Sequence, residues 1–307
     1  MNEYLFDHIS DAYEWHITTI NGKEIAIHLP CIIFDGGLKV FRSDKMAENG
    51  YALNENGKIV NASTGKRPLD ISITKNVLGL MINSLIVLLL VLFCARWYKK
   101  HDSEKEAPKG LAGIMEMMIT MVENDIIKTC VGKDYKRYSP YLLTAFFFIF
   151  VNNLMGIIPF FPGGANVTGN IAITLCLAIF TFLAVNIFGS KHYWKEILWP
   201  DVPIFLKAFP LMPLIEIVGM FTKPFSLMIR LFANILAGHF MILGVVAVVF
   251  LTAKMGVALN SGLSVIAVLF GLFMDVLECL VAFIQAYVFT MLSSVFIGLS
   301  RQEPQTE

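Results

Sequence analysis

Charged residues are scarce in this sequence of 307 residues: Asp, Glu, Lys and Arg make up 16%, whereas apolar residues make up 56%. Several apolar runs approach or exceed the ~20 residues that an α-helix needs to cross a bilayer. No basic patch interleaved with aromatic residues occurs outside the loops that flank these runs, which argues against nucleic-acid binding. The composition therefore predicts an integral membrane protein that binds the lipid bilayer and no nucleic acid.

The sequence also lacks the motifs of metal, redox and covalent chemistry. His8, His16 and His28 match no tight ligand spacing, and neither a phosphate loop nor a nucleophile elbow is present. We therefore expect no metal, no cofactor and no catalysis within this chain. The five cysteines are scattered without a C-x-x-C pair, which favours small apolar fillers; they are Cys31, Cys94, Cys130, Cys176 and Cys279.

Two regions differ in composition. Residues 1–74 are polar and mixed, and turn signals such as Asn21-Gly22 and Asp35-Gly36-Gly37 separate short β-like runs, which predicts a small extramembrane domain. Residues 75–307 are predicted to form the membrane domain. Within it we expect crossings at about 75–98, 138–158 and 170–188, a tilted hairpin of 211–251 and 263–299, and an amphipathic cytoplasmic segment at about 110–130.

Basic residues indicate which side is cytoplasmic. Segment 96–137 is rich in Lys and Arg, whereas segment 159–168 contains none, so the positive-inside rule predicts an outside N-terminus and a cytoplasmic C-terminus. An outside N-terminus requires an export signal, which Met1–Ser10 does not resemble, so a leader cleaved upstream is one explanation. The amphipathic segment either lies on the membrane surface or packs on a partner subunit; its expected apolar face is Leu111, Ile114, Met118, Val122 and Ile126.

The last two apolar segments are too long to stand upright in a bilayer. Each exceeds 35 residues and would measure roughly 55 to 60 Å as a helix. Membrane helices tilt by about 20° on average, so we expect a strongly tilted helical hairpin that turns at 254–261. The predicted fold class is an all-α integral membrane protein with about five membrane-embedded helices and a small N-terminal extramembrane domain.

Arg230 is a permanent charge inside one of these apolar segments. An arginine at the centre of a membrane helix costs about 2.5 to 3.5 kcal/mol, so a function is expected for it. Glu216, Lys223 and Arg230 are spaced by seven, and Ser226 and Asn234 lie four residues on either side of Arg230. At 100° per residue these side chains form one stripe.

The last segment carries a second polar face, with Glu278 and Gln285 seven residues apart. If the two segments run antiparallel, His239 and Glu278 reach the same depth and form a pair. Such a pair is either a proton relay or a salt bridge that holds the hairpin together. Asparagines near the outer loop either line an aqueous inlet or cap helices, with capping favoured for Asn166 and left open for Asn170.

The run from Thr222 to His239 resembles the motif S-x-x-x-R-L-x-x-N-x-x-A-G of subunit a of F-type ATP synthases, and Asn153-Leu-Met-Gly-Ile-Ile-Pro159 supports the resemblance, which covers about 105–300. It implies a non-enzymatic Fo stator that carries protons. Its expected partners are the c-ring, the peripheral-stalk b subunits and the rest of the F1Fo ATP synthase, and its expected location is a bacterial inner membrane. The implied residues are Arg230 as the essential charge, Asn170, Asn234, His239, Glu278 and Gln285 on the outer proton path, and Glu216 and Ser226 on the cytoplasmic path.

This sequence departs from many bacterial members of that family at two places. His239 and Glu278 exchange the positions of a carboxylate and a histidine, and Phe296 stands where some members have tyrosine. The resemblance leaves the ion, H⁺ or Na⁺, open. A stand-alone channel or secondary transporter ranks second, because we find no internal repeat of the kind that transporters show; an intramembrane enzyme would need a nucleophile or metal cluster.

Overall fold

The computed structural model describes residues 11–20, 23–54, 57–102, 106–158, 162–198, 211–252 and 257–301. Inside these ranges, the side chains described exclude residues 16–20, 23–24, 196, 211–213, 239, 249–252 and 257–260. Four described helices are long and apolar enough to cross a bilayer, and a fifth, shorter helix is also apolar. The predicted all-α integral membrane fold with a small N-terminal strand region is therefore confirmed.

Seven short strands form the described part of the N-terminal region. β1 and β2 pair antiparallel, β4, β3 and β7 form a three-stranded sheet in that order, and β5 pairs with β6. The β3–β4 hairpin turns at Asp35–Gly37, where Gly36 adopts φ +66°, a conformation that glycine adopts without steric cost. The strand bounds are β1 Glu14–Ile20, β2 Lys23–His28, β3 Pro30–Phe34, β4 Leu38–Arg42, β5 Tyr51–Leu53, β6 Ile59–Asn61 and β7 Leu69–Asp70.

Eight α-helices follow within the described residues. A π-helical segment, Val122–Ile127, joins α2 to α3, and α7 and α8 contain 42 and 45 residues, which corresponds to about 60 to 70 Å each. The helix bounds are α1 Lys75–Lys100, α2 Leu111–Met121, α3 Lys128–Val131, α4 Tyr135–Ile157, α5 Ile171–Ile187, α6 Lys191–Leu198, α7 Leu211–Thr252 and α8 Val257–Arg301.

Two details differ from the expectations. α8 begins at Val257, inside the segment where the turn was expected, because the polar residues that follow Val257 are accommodated in the helix. In the amphipathic segment, Leu111 and Ile114 of the predicted apolar face are exposed, as a membrane-surface or partner-contacting role allows, whereas Val122 and Ile126 are buried within the chain. Ala112 and Met115 are buried as well, since the segment is apolar on more than one side.

The chain divides into two compact units. The N-terminal unit comprises residues 1–84, 155–167 and 239–271, and the helical unit comprises residues 85–154, 168–238 and 272–307. The strand region has a core of its own. Its buried side chains are Tyr13, Cys31, Ile33, Met46, Tyr51 and Ile59.

Polar groups at the edge of this core are held by hydrogen bonds. Tyr51 and Asn61 both donate to the Asp35 carboxylate, each at 2.9 Å. Because these bonds stabilise the ionised form, they hold the pKa of Asp35 below its usual range, the bond from Asn61 having the largest effect. Burial, together with the charge of Asp70, raises the pKa of the Cys31 thiol to about 11, so this cysteine stays protonated at neutral pH.

The N-terminal unit joins its strands to the first turn of α1 without a flexible linker. The Ile73 amide donates to the Pro30 carbonyl at 3.2 Å and the Lys75 amide donates to the Ala12 carbonyl at 2.8 Å. The Asn76 amide donates to the Asp11 carboxylate at 3.0 Å. The strand region and the start of α1 are therefore one continuous structure.

At the C-terminal end of α8, the Arg301 guanidinium forms hydrogen bonds that join three segments of the helical unit. Arg301 donates through Nη2 and Nε to Asp134 at 2.6 and 3.0 Å, and through Nη1 to the Phe188 carbonyl at 3.1 Å. The Ser190 amide also donates to the Ser300 carbonyl at 2.8 Å. We call this set of bonds the Arg301 clamp. It ties the end of α8 to the residues before α4 and after α5.

Gly298 lies where α8 passes directly over α3, and a Cβ at this position would overlap the Cys130 carbonyl oxygen. We expect Gly298→Ala to destabilise the purified chain by about 1 to 3 kcal/mol or more, because overpacking against backbone forces the helices apart. Thermal unfolding in detergent measures this effect. Gly271→Ala on the same helix is the matched control, since an added Cβ there has no heavy atom within 4 Å; equal melting temperatures for the two variants would contradict the prediction.

Candidate functional site

Arg230 lies on the side of α7 that faces away from the core of the helical unit. Leu227 and Leu231 pack into that core with exposed fractions of 2% and 1%, whereas Arg230 is exposed. At 100° per residue the guanidinium therefore points away from the buried face. Among the residues that the structure describes, none forms a hydrogen bond or an ion pair with Arg230.

The other residues of the predicted stripe share this outward side. Ser226 and Asn234 are exposed one turn before and one turn after Arg230, and Glu216 is exposed nearer the start of α7. Ala233 and Ala237 are also exposed, so the surface beside Arg230 has small side chains that allow close approach of a helix. We call Ser226, Arg230, Ala233, Asn234 and Ala237 the outward stripe.

Lys223 lies beside an aromatic ring of α8. Its ammonium lies 5.8 Å from the centre of the Phe296 ring on α8, within the range of a cation–π contact. Lys223 and Phe296 line a small cleft. No pattern in the sequence indicated that the polar residues of this cleft lie together. The other lining residues are Thr181, Phe182, Val185, Asn186, Tyr193, Met220 and Pro224.

Glu278 and Gln285 face the opposite way, into the core of the helical unit. Their exposed fractions are 6% and 7%, and Ala282 between them is fully buried. The three residues follow the i, i+4, i+7 pattern of one helix face. Glu278 and Gln285 therefore form an inward polar pair on α8, separate from the outward stripe around Arg230.

The Glu278 carboxylate lies directly against α7 at Gly238. A Cβ at Gly238 would stand 2.8 Å from Glu278 Oε1, so a larger residue there would require the carboxylate to shift. His239 is the next residue along α7. Its backbone is helical, but its side chain lies outside the described residues, and the predicted pairing of His239 with Glu278 stays a prediction.

Asn153 connects three segments of the helical unit around this inward pair. Its Nδ2 donates to the Ala282 carbonyl at 3.2 Å, and its Oδ1 accepts a hydrogen bond from Thr168 Oγ1 at 2.6 Å. Both side chains are buried, at 2% and 1% exposure. The bond to Ala282 fixes the turn of α8 that carries Glu278 and Gln285. The sequence offered no signal that would pair residues 153 and 168.

We expect Asn153→Leu to destabilise the chain by about 1 to 3 kcal/mol, because it removes the partners of two buried polar groups while keeping the side-chain volume. Thr168→Val removes only one of the two bonds and is the matched control, with a smaller loss. Chemical unfolding of the purified variants, followed as a double-mutant cycle, measures both losses. An Asn153→Leu variant as stable as the original chain would show that these bonds contribute nothing.

Asn170 caps α5. Its Oδ1 accepts a hydrogen bond from the Ala172 amide at 3.0 Å, with extended backbone angles at Asn170, which is the geometry of an N-cap. The expectation that Asn166 would provide a cap is wrong for this helix, because α5 begins only at Ile171; Asn166 is buried instead, with 6% exposure. The cap does not bear on the predicted place of Asn170 in a proton inlet, which stays a prediction.

The arrangement of apolar helices defines an α-helical integral membrane protein, and comparison with known proteins identifies its family. The family model described as ATP synthase A chain matches residues 81–298. The chain belongs to the ATP synthase A chain family, which confirms the resemblance inferred from the motif around Arg230. Residues 4–76 match a separate family that is described only as a domain of unknown function.

Curated relatives agree with this family. The chain is 39% identical to ATP synthase subunit a of Chloroherpeton thalassium over 75% of its own length and 67% of the relative's. It is 40% identical to ATP synthase subunit a of Chlorobium phaeobacteroides, with 82% and 72% covered. For ATP synthase subunit a of Anaeromyxobacter the identity is 38%, with 96% and 69% covered. The chain thus spans about two thirds of the length of these relatives.

Proposed function

We propose that this chain is the ion-translocating stator subunit of the membrane sector of an F-type ATP synthase. It is a non-catalytic component that works only with the rest of the ATP synthase complex. Its direct partners are the ring of c subunits and the b subunits of the peripheral stalk. The ion is H⁺, which enters and leaves through two half-channels that meet the ring at Arg230.

The outward position of Arg230 is the single observation that carries the proposal. A guanidinium in an apolar helix is costly unless it is paired, and no described residue of its own chain pairs with it. The exposed Ala233 and Ala237 leave room beside it for another helix. A carboxylate on a ring subunit supplies both the missing charge partner and the neighbouring helix.

A fixed positive charge at this point separates the two half-channels. Arg230 cannot release its proton, so it favours the ionised form of a ring carboxylate that stands opposite it and repels protons that would cross directly. Each proton must therefore travel on the ring. A charge that falls through 100 mV gains only about 2.3 kcal/mol, so several protons are needed for each ATP that is made.

The inward polar pair supports an inlet on the outer side. Glu278 and Gln285 are buried on one face of α8, and Asn153 fixes the turn between them through the Ala282 carbonyl. We assign proton entry to Asn170, Asn234, His239, Glu278 and Gln285. A carboxylate and an imidazole at one depth can exchange a proton near neutral pH.

The outlet follows the exposed polar residues nearer the start of α7. Glu216 and Ser226 lie on this side, and the cleft beside Lys223 adds the polar side chains Thr181, Asn186 and Tyr193. We assign proton release to Glu216 and Ser226. The Lys- and Arg-rich segment 96–137 supports a cytoplasmic location of this end through the positive-inside rule, and the bacterial relatives favour the inner membrane.

Proton flux in reconstituted vesicles tests the proposal. The chain alone and the complete complex are placed in separate vesicles, a potassium diffusion potential is applied, and a pH-sensitive dye reports the flux. We expect flux only through vesicles that contain the ring, and no change when sodium is added. Flux through the chain alone would favour a stand-alone channel, and a sodium requirement would overturn the assignment of the ion.

A further inference from the structure

One face of the three-stranded sheet in the N-terminal region is apolar and exposed. Every second residue along β3 and β4 points to this side, and the residues around β7 continue it, as the pairs Phe34–Leu38, Phe34–Leu69 and Ile32–Val40 show. We call it the outer sheet face. Its exposed fractions are 54% for Phe34, 67% for Leu38, 61% for Val40, 63% for Leu69 and 64% for Ile71.

The opposite face of the same sheet already packs on the core of the strand region. Cys31 and Ile33, which alternate with the residues of the outer sheet face, are 0% and 1% exposed. A sheet outside the membrane ordinarily has one apolar and one polar face. This sheet is apolar on both, and a contiguous exposed patch of large apolar residues marks an interaction surface.

The two charged residues at the alternating positions of the outer sheet face are both arginines. Arg42 follows Val40 by two residues on β4, and Arg67 precedes Leu69 by two residues; both are exposed. Arg42 also lies 3.4 Å from the carboxylate of Asp44, which belongs to the short 3-10 turn that follows β4. The positions that alternate along 30–34, 38–42 and 67–71 contain no Asp or Glu. An apolar centre with guanidinium groups at its ends is complementary to a phospholipid surface.

The sheet is also held close to the bilayer. The Ile71 amide donates to the Ile32 carbonyl at 2.9 Å, and Ile71 precedes the first residue of the spanning helix α1, Lys75, by only four positions. Four extended residues span at most about 14 Å. The bonds of Ile73 and Lys75 to the strand region make this connection rigid, and an added Cβ at Gly79 would lie 3.8 Å from the Trp15 ring. The apolar face is therefore continuous with a chain segment that enters the membrane.

We propose that the outer sheet face binds the phospholipid surface from which α1 emerges. Phe34 and Leu38, on either side of the Asp35–Gly37 turn, insert among the lipid headgroups, and Arg42 and Arg67 contact lipid phosphates. The domain thereby lies flat on the bilayer and fixes the position of the first helix. This inference does not depend on the ion-translocating role proposed for the helical unit.

Spin labels at neighbouring residues on β4 test the proposal in the complete complex reconstituted in vesicles. The labels are attached at Leu38→Cys or at Lys39→Cys, after Cys130, Cys176 and Cys279 are replaced by serine. Leu38 belongs to the outer sheet face and Lys39 alternates to the other side. We expect the Leu38 label to collide about tenfold more often with oxygen than with a water-soluble nickel chelate, and the Lys39 label to show the reverse preference.

Two results would overturn the proposal. A Leu38 label that collides freely with the nickel chelate would show a water-exposed face, and a label shielded from both reagents would show a protein partner in place of lipid. Val40→Cys provides a second position on the same face. The role of the guanidinium groups is tested by adding Arg42→Glu and Arg67→Glu, which should lower the oxygen preference of the Leu38 label several-fold in phosphatidylglycerol vesicles; an unchanged preference would remove these residues from the lipid contact.

Discussion

Arg230→Ala is expected to abolish proton-driven ATP synthesis in membrane vesicles while ATP hydrolysis by the peripheral head continues. The variant removes the only charge on the outward stripe, so a ring carboxylate would no longer be held ionised between the two half-channels. A loss of about 3 kcal/mol of electrostatic preference corresponds to a change of roughly 100-fold. The measurement is ATP formed by energised vesicles, with hydrolysis by the same vesicles as the internal reference.

Arg230→Lys is the matched control for charge. Lysine keeps the positive charge but loses the planar fork of donors, and it can release its proton in an apolar environment. We expect it to retain more assembled complex than Arg230→Ala and still to synthesise little ATP. Near-normal coupled synthesis by Arg230→Ala, in a complex that is shown to be assembled, would refute the role of this residue.

The second test exchanges His239 and Glu278, the two residues proposed to pass a proton between them on the outer path. His239→Glu or Glu278→His alone should lower proton pumping by roughly tenfold or more, because each leaves two like groups where a carboxylate and an imidazole are required. The double variant should recover part of the lost pumping.

Proton uptake during ATP hydrolysis, reported by a pH-sensitive dye, is compared for the original protein, the two single variants and the double variant. The comparison is valid only when the variants assemble to the same level, which detergent extraction and gel analysis of the complex establish. If the double variant pumps no better than either single variant at equal assembly, His239 and Glu278 do not share a proton. A salt bridge that merely holds the hairpin together would instead restore assembly without restoring pumping.

Much of the membrane fold was accessible from the sequence, because long apolar runs and their periodicity depend on local composition. The start of α8 was not, since residues 257–262 include Asn260, Ser261 and Gly262, which by themselves favour turns. The pairing of Leu69 with Phe34 was equally hidden. It joins strands that are 35 residues apart, and no local pattern specifies such a partner.

In the candidate site too, some features could be predicted from local sequence and others depend on packing. Arg230 could be singled out because a charge in an apolar helix is costly whatever surrounds it. The bond between Asn153 and Thr168 depends on how α4 meets the loop before α5, which is a property of the packed chain. The choice between Asn166 and Asn170 as a cap depended on the first residue of α5, and helix boundaries are the least predictable feature of a sequence.

In the proposed stator role, the Arg301 clamp would determine how the chain bears a sideways load. A rotor turning against α7 would push α7 and α8 along the membrane, and helices that touch only through apolar side chains can slide past each other. The guanidinium anchors the far end of α8 to Asp134 and to the Phe188 carbonyl, so thrust on the hairpin passes into α4 and α5. Helices α4, α5 and α8 would then resist the load together.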